Sequence, residues 1–265
     1  MSVVRLDRDG PVAVLTLDNP TRGNALTPVM MARAAELVSG LGAELTVERG
    51  VGFGALVIRG AGERAFCAGY DFASLARETA ERPQQVIPEL MQVLSAFERF
   101  PFPIIAALNG HAIGGGALLA SLCDLRYARE GARFRIPTSR IGIVYPLAGI
   151  RRLVSLVGIG RAMEILLVAD DVSAQQGLAW GLYQGVCTTG LLDERVHRVA
   201  HALAERAPLS IQGNLQTLRA LRSSASEEDV QALHTRWLGR CVESADLAEG
   251  LAAAAERRTP RFEGR

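Results

Sequence analysis

The segment IIAALNGHAIGGG (residues 104–116) is an apolar run that ends in a glycine-rich turn, and it decides the fold. Its first part, Ile104 to Leu108, predicts a short buried strand because it is apolar throughout and bounded by turn residues. A helix is predicted from Gly115, inside the turn, to Leu122. The segment therefore predicts a strand–turn–helix unit.

A second turn of the same kind, FCAGYD (residues 66–71), lies earlier in the chain. It follows the strand-like run Ala55 to Arg59 and leads into a helix predicted from Asp71 to Arg77. Glycines leave backbone N–H groups unshielded, and a helix N-terminus aims such groups at negative charge. Two N–H groups that converge on one oxygen form an oxyanion hole. The two turns together predict chemistry through an enolate or a tetrahedral oxyanion.

Strand-then-helix units recur along the first two thirds of the chain, which favours an α/β fold. Strands are predicted at Val12–Leu17 and Cys123–Ala128, and helices at Pro28–Leu41, Gln85–Phe100, Ile150–Gly158 and Arg161–Val168. From Asp193 to Arg257 the pattern is almost wholly helical, a form that often builds symmetric oligomers. We expect a core with the active site in residues 1–195 and a helical oligomerisation region in residues 196–265.

Two acidic residues have predicted structural roles. Asp71 is expected to cap the helix that follows the first turn, and Asp124 is expected to anchor the next strand by hydrogen bonding.

Composition bounds the class of protein. The chain has 265 residues, 49% hydrophobic content and a net charge of +1, enough apolar material for one domain with an appendage. The charges do not form the basic face or domain that would predict nucleic-acid binding. All 29 basic residues are arginine, and the absence of lysine from the sequence excludes Schiff-base chemistry and a Walker-type phosphate site.

Cysteine spacing and hydropathy exclude further classes. The four cysteines lack the close spacing of a zinc site or a disulfide framework: Cys67, Cys123, Cys187 and Cys241. The first nine residues do not resemble a signal peptide, and no run reaches the ~18 apolar residues of a membrane span. We expect no metal, no membrane association and a cytoplasmic location.

Taken in order along the chain, these motifs resemble the crotonase superfamily, also called the enoyl-CoA hydratase/isomerase family. The matching segments cover nearly the full length: residues 12–17, 19–20, 24–26, 65–71, 103–116, 123–124, 134–137, 142, 256–258, 260 and 262. The resemblance implies a crotonase-like spiral of ββα units with a C-terminal helical trimerisation region, assembled as a homotrimer or a dimer of trimers. It also implies an acyl-CoA thioester as substrate, with coenzyme A entering as part of that substrate and no permanently bound cofactor.

The resemblance assigns site residues by position. The thioester carbonyl would lie between the backbone N–H groups of Tyr70 and Gly115. Basic residues that match Arg257 and Arg258 approach phosphates in the family, often from a neighbouring subunit. The remaining residues implied to line the coenzyme A and substrate path are Arg22, Asn24, Ala25, Ala65, Phe66, Ala68 and Leu118.

The sequence departs from the family at the positions that carry acid–base chemistry. Family hydratases have two glutamates, which match Leu118 and Thr138 here. Hydration needs a base for water and an acid for the α-carbon, and neither side chain supplies one. The carboxylate of family isomerases matches Thr138 or Pro146, and both positions lack an acid. The chemistry therefore leans towards decarboxylation or another lyase step that needs no paired carboxylates.

The segment GIVYPLAGI (residues 142–150) is similar to one subgroup of the family, the bacterial methylmalonyl-CoA decarboxylases. In that subgroup a tyrosine that matches Tyr145 lines the acyl pocket. Loss of CO₂ itself produces the enolate, and a hydroxyl from Tyr145 or Thr138 would orient the carboxylate or deliver a proton. One departure is Ile136, which stands where the subgroup has a threonine. A core role for Tyr145 is the alternative interpretation.

Two other functions remain open from the sequence. In the first, the chain is a hydratase or isomerase whose acid and base are other residues, and Glu78 is the first residue to consider. Alternatively, it is a subunit that binds acyl-CoA or supports assembly without catalysis.

Overall fold

The computed structural model describes residues 2–45, 51–81, 88–223 and 225–265, without the side chains of residues 72, 75, 78, 79 and 81. The strands are β1 Val3–Asp9, β2 Val12–Asp18, β3 Ala55–Gly60, β4 Ala65–Cys67, β5 Ile104–Leu108, β6 His111–Ile113, β7 Leu125–Arg129, β8 Arg133–Arg135, β9 Val172–Ser173 and β10 Gly185–Cys187. The helices are α1 Pro28–Glu44, α2 Phe72–Glu81, α3 Pro88–Arg99, α4 Gly115–Leu122, α5 Leu147–Met163, α6 Ala174–Ala179, α7 Leu192–Ala204, α8 Pro208–Leu221, α9 Glu227–Val242 and α10 Ala245–Glu256.

Two sheets organise the strands. The larger sheet has the order β1-β2-β3-β5-β7-β10, antiparallel only between β1 and β2, and the smaller sheet has the order β4-β6-β8-β9. A strand of the larger sheet is followed by a short strand of the smaller one and then by a helix in β3-β4-α2, β5-β6-α4 and β7-β8-α5. The α/β fold built from ββα units is therefore confirmed.

The central strand β5 is buried along its whole length, as its continuous apolar sequence predicts. It lies between β3 and β7, with Leu56 opposite Ile104 and Ile105 opposite Leu125. Ile105, Ala106 and Ala107 are paired with strands on both sides, and Leu108 is still paired with β7, so the turn that follows β5 starts from a rigid position. That turn carries the candidate site.

Helix α7 covers the outer face of the larger sheet. Its buried residues Leu192, Val196 and Ala200 pack with Val57 and Ile105 in a second apolar cluster. The expected division at residue 195 falls inside this helix, and the layer that packs on the sheet continues to Ala204.

Some element bounds differ from the sequence predictions for local reasons. Strand β7 starts at Leu125 because Cys123 still ends α4, its N–H bonded to the carbonyl of Leu119. The predicted break after Gly158 is present as a kink inside α5, where Gly158 has a non-helical conformation at φ +75° and separates two helical segments. Strands β1, β4, β6, β8, β9 and β10 were not predicted. The predicted helix from Gln85 is described from Pro88 onwards, and residues 85–87 lie outside the described residues.

In the part of the chain that the structure describes, no helix combines the length and apolar character that a bilayer crossing requires.

Asp124 joins β5 to α8 through its buried carboxylate. It accepts the N–H of Ile104 at 2.9 Å, two bonds from Arg219 at 2.6 and 3.1 Å, and one from Arg222 at 3.3 Å. The predicted anchoring role is correct, but the strand that it anchors is the preceding one, because the carboxylate faces the start of β5. Burial alone would raise the pKa of Asp124, yet the bonds and charge of Arg219 hold it below its ordinary value.

Asp124→Asn should lower the free energy of unfolding by about 3 kcal/mol, because it leaves the buried Arg219 without its anion. The control Asp18→Asn, which removes an exposed pair with Arg5, should cost less than about 1 kcal/mol. Urea denaturation at neutral pH measures both. Since the pKa of Asp124 is lower in the folded chain than in the unfolded chain, its contribution is present at neutral pH and is lost as the pH falls through the folded-state pKa. Equal destabilisation by both variants would contradict this role.

Candidate active site

The two glycine-containing turns meet backbone to backbone. Strands β4 and β6 pair in parallel, with Ala65 opposite His111 and Cys67 opposite Ala112. At Gly116, a Cβ atom would lie 2.1 Å from the carbonyl oxygen of Cys67. Only glycine permits this approach, because no other residue lacks a Cβ.

The same approach brings two peptide nitrogens together. A Cβ on Gly115 would lie 3.2 Å from the nitrogen of Tyr70, and a Cβ on Gly69 would lie 3.4 Å from the nitrogen of Gly115. Gly115 is the first residue of α4, where N–H groups have no intrahelical acceptor. Two neighbouring N–H groups beside a helix N-terminus can stabilise a developing oxyanion.

The first turn is fixed by a short parallel bridge. The N–H of Leu26 donates to the carbonyl of Gly69 at 2.7 Å, and the N–H of Asp71 donates to the carbonyl of Leu26 at 2.8 Å. Asp71 then caps α2, because its carboxylate accepts the N–H of Ser74 at 3.0 Å, which confirms the predicted cap. That bond is the main cause that lowers the pKa of Asp71. The orientation of the Tyr70 peptide therefore depends on bonds to both sides of it.

The second turn is fixed by one bond to β8 and one to Tyr145. Gly114 has φ +52°, and its N–H donates to the carbonyl of Arg135 at 2.8 Å. The hydroxyl of Tyr145 donates to the carbonyl oxygen of Gly114 at 3.3 Å. Tyr145 is 5% exposed and belongs to the main apolar core, and burial raises the pKa of its hydroxyl. The structure thus gives Tyr145 a place in the core and a bond to the turn.

The positions that match the hydratase glutamates are apolar or neutral. Leu118 is 1% exposed and packs near Gly149, where a Cβ would lie 2.7 Å from its Cδ1. Thr138 is half-buried in a single turn, Pro137–Arg140, and its carbonyl accepts the N–H groups of Ile141 and Ile143. The side chain of Glu78 lies outside the described residues. Within the described ranges, no three His, Cys, Asp or Glu side chains gather where they could hold a metal ion.

The side-chain amide of Asn24 forms hydrogen bonds with other residues of the chain. It is 2% exposed, donates to the carbonyls of Ala61 and Ala65 at 3.0 and 2.8 Å, and accepts the N–H of Asn19 at 3.0 Å. It therefore holds the loop before α1 against β4. Ala25, Ala65 and Phe66 are also buried, and Ala68 is half-buried. Most of the predicted coenzyme A path is thus formed by backbone and small or buried side chains.

Arg22 lies at an open cleft of about 400 Å³ beside the first turn. Its guanidinium forms an ion pair with Asp71, and its side chain is more than half exposed. Arg77 lines the same cleft and was not predicted. No local pattern in the sequence marks Arg77, because its place at the cleft depends on where α2 lies relative to the loop that carries Arg22.

The two C-terminal arginines are at the end of α10. Arg258 binds the carboxylate of Glu249 with two nitrogens, at 2.5 and 2.8 Å, and also pairs with Glu256 at 2.6 Å. Arg257 ends the helix at φ +55° and is exposed. Use of Arg258 as a phosphate ligand would require these carboxylate pairs to open.

Comparisons with known proteins agree with the resemblance. Residues 7–265 match the family model described as enoyl-CoA hydratase/isomerase. The chain is 33% identical to 2,3-dehydroadipyl-CoA hydratase from Escherichia coli over 266 residues, which is 100% of both chains. It is 30% identical to (E)-benzylidenesuccinyl-CoA hydratase from Thauera aromatica, covering 98% of this chain and 99% of the relative. The crystal structure of an enoyl-CoA hydratase from Bacillus anthracis superposes with a TM-score of 0.89 at 26% identity, covering 99% of each chain.

The chain belongs to the enoyl-CoA hydratase/isomerase family, the crotonase superfamily, whose members act on acyl-CoA thioesters. The relatives named above are hydratases, whereas the lack of carboxylates at positions 118 and 138 led the sequence analysis towards decarboxylation, which these comparisons do not support. The similarity of residues 142–150 to the decarboxylase subgroup stays a prediction.

Gly115→Pro should remove one donor from the N–H pair, because proline has no N–H and is tolerated at the first helical position. Loss of one oxyanion donor typically costs ~10²–10³ in rate. By titration calorimetry, we expect the variant to lose part of the preference for butanoyl-CoA over S-butyl-CoA, a thioether without the carbonyl, because the Tyr70 N–H remains as the second donor. Gly115→Ala is the control, because it keeps the N–H and adds the same Cβ, which would lie 3.2 Å from the nitrogen of Tyr70. An unchanged preference for the thioester in folded Gly115→Pro would exclude the Gly115 N–H as a donor.

Proposed function

We propose that this chain binds an acyl-CoA thioester with its carbonyl oxygen between the N–H groups of Tyr70 and Gly115, and that it stabilises the enolate of that thioester. The observation that carries the proposal is the approach of the two peptide nitrogens across Gly69 and Gly115. An enolate bears its charge on the thioester oxygen, and preorganised N–H donors stabilise that charge without reorganisation.

The reaction that fits the surroundings best is one that creates the enolate without a protein base. Leu118, Thr138 and Pro146 occupy the positions that resemblance assigns to family carboxylates. In decarboxylation of a malonyl-type thioester, the bond from Cα to the carboxylate carbon breaks and CO₂ leaves. The electron pair passes into the enolate, and a proton from water then reaches Cα. Buried apolar neighbours such as Leu118 favour departure of a charged carboxylate.

A second candidate function is acyl-CoA binding without turnover. It is favoured by the same observation that weakens hydration, namely the lack of an acid at positions 118 and 138. The hydratase names of the relatives favour a third outcome, in which an acid and a base come from elsewhere, with Glu78 the first residue to test. One experiment separates these outcomes.

We predict that the purified protein, incubated with 2-enoyl, 3-enoyl, malonyl and methylmalonyl thioesters, removes CO₂ from a malonyl-type member and leaves the enoyl members unhydrated. Mass spectrometry of the acyl-CoA products measures both reactions. Gly115→Pro, which removes one oxyanion donor, is the matched test variant and should lower the rate of CO₂ loss by ~10²–10³.

Each alternative has its own result in this panel. Hydration of the enoyl members would overturn the carboxylate-free step, and Glu78→Gln would then test the missing acid. Binding of thioesters without any product would favour the binding function. Failure to bind any coenzyme A thioester would overturn the proposal as a whole.

We also propose that the C-terminal helices assemble the chain as a homotrimer or a dimer of trimers in the cytoplasm. Large apolar side chains on α8, α9 and α10 are exposed in the single chain: Leu218, Leu221, Leu238, Val242, Leu247 and Leu251. Exposed large apolar side chains that recur on three successive helices are expected at a protein–protein contact.

Sedimentation should give a mass of three or six chains of 28.4 kDa. Leu247→Asp with Leu251→Asp, two residues on one face of α10, should dissociate the assembly because charge is depleted at interface cores. Val29→Asp is the control, since Val29 is an exposed apolar residue on α1, and isolated residues of this kind are ordinary surface features. A wild-type mass of one chain would contradict the proposed assembly.

A further inference from the structure

The acceptor of the Tyr145 hydrogen bond and one donor of the proposed oxyanion hole belong to the same peptide group. The hydroxyl of Tyr145 donates to the carbonyl oxygen of Gly114 at 3.3 Å. The nitrogen bonded to that carbonyl carbon is the nitrogen of Gly115. A hydrogen bond made at one end of this amide therefore acts on the donor at its other end.

We propose that Tyr145 is a positioning residue that orients and polarises the Gly114–Gly115 peptide, and so strengthens the Gly115 N–H as a donor to the thioester oxygen. The inference rests on the proposed function, because it needs a thioester carbonyl at that N–H. It differs from a tyrosine that touches the substrate, since here the hydroxyl acts through the protein backbone.

The carbonyl of Gly114 is held from two sides. The N–H of Leu118 donates to it at 3.0 Å as the first helical bond of α4, and Tyr145 supplies the second donor. A carbonyl oxygen has two lone pairs, so both of its acceptor positions are used. Donation to the oxygen draws electron density through the amide, and linked hydrogen bonds strengthen one another by about 10–30% per bond.

Orientation matters because Gly114 has an unusual backbone conformation. Its φ of +52° with ψ of −110° is one that residues with side chains rarely adopt. The bond from its N–H to the Arg135 carbonyl at 2.8 Å fixes the preceding peptide. The Tyr145 bond adds a tertiary constraint on the following peptide, which is the one that points its N–H at the site.

The surroundings of Tyr145 keep its hydroxyl in place as a donor. The ring lies against α5 at Gly149, where a Cβ would stand 2.5 Å from Cε1. Burial raises the pKa of the hydroxyl, so it stays protonated at any working pH. In this apolar setting a hydrogen bond is electrostatically stronger than in water.

The Tyr145 bond is longer than the usual 2.5–3.0 Å of an O–H···O bond, so in the free protein it is a weak contact. As charge develops on the thioester oxygen, the Gly115 N–H donates more strongly and the Gly114 oxygen becomes a better acceptor. An interaction that strengthens towards the transition state lowers the barrier.

The test is the carbonyl stretch of bound butanoyl-CoA labelled with ¹³C at the thioester carbon, measured by isotope-edited infrared spectroscopy. Wild-type protein should lower this frequency relative to the free thioester. Tyr145→Phe should reverse part of that shift and reduce the preference for butanoyl-CoA over S-butyl-CoA by up to about twofold. This limit corresponds to 10–30%, on a logarithmic scale, of the roughly two- to twelvefold that a neutral hydrogen bond contributes to binding.

Tyr183→Phe is the matched control. Tyr183 is also a buried tyrosine that packs against a helical glycine, Gly177, and its hydroxyl has no partner among the described residues. This variant should leave the carbonyl frequency unchanged.

The outcomes separate the two levels of the proposal. No frequency shift in wild-type protein would count against the oxyanion site itself. A full shift in wild type that persists unchanged in Tyr145→Phe would overturn the positioning role alone. A change in affinity for malonyl-CoA but not in the butanoyl-CoA frequency would also overturn it, because the hydroxyl would then contact substrate directly.

Discussion

The structure depends on the close approach of two backbone turns, in which Gly116 lies against the carbonyl of Cys67. A single methyl group at position 116 would stand 2.1 Å from that oxygen, so the parallel pairing of β4 with β6 and the start of α4 exist only with glycine there. The approach also sets Tyr70 and Gly115 side by side. The close packing of β4 against β6 and the placement of the two N–H groups therefore depend on the same short stretches of backbone.

The parts of the fold that were predicted from sequence are those with strong local signals. Helix α1 begins at Pro28 after Thr27, whose hydroxyl accepts the N–H of Met30, and β5 is uniformly apolar. Strands β4, β6, β8 and β9 have two or three residues each, which is too short for periodicity. Their pairing is decided by neighbours distant in sequence. Strand β1 was missed because its charged residues mask the alternation that an exposed edge strand shows.

The candidate site likewise has features that the local sequence indicates and features that only the folded chain shows. Glycine turns before helices are local features, so two turns with unshielded N–H groups were predictable, whereas the assignment of Tyr70 and Gly115 came from the family resemblance. Asn24 was assigned to the coenzyme A path, but its amide holds Ala61 and Ala65, which are about forty residues away. The partner of Tyr145 is 31 residues away in sequence. Hydrogen bonds across such separations follow from tertiary packing, which no local pattern records.

Leu118, Tyr145 and Gly149 interlock, and this has a consequence for how the chemistry of the chain can change. A glutamate placed at position 118 alone would bury a charge where the present side chain is 1% exposed, and such a charge is strongly destabilising without a partner. Leu118 and Tyr145 both pack at Gly149, and residues that share a packing site do not change independently. A step towards a two-glutamate site is therefore destabilising unless a partner for the new charge at position 118 is introduced with it.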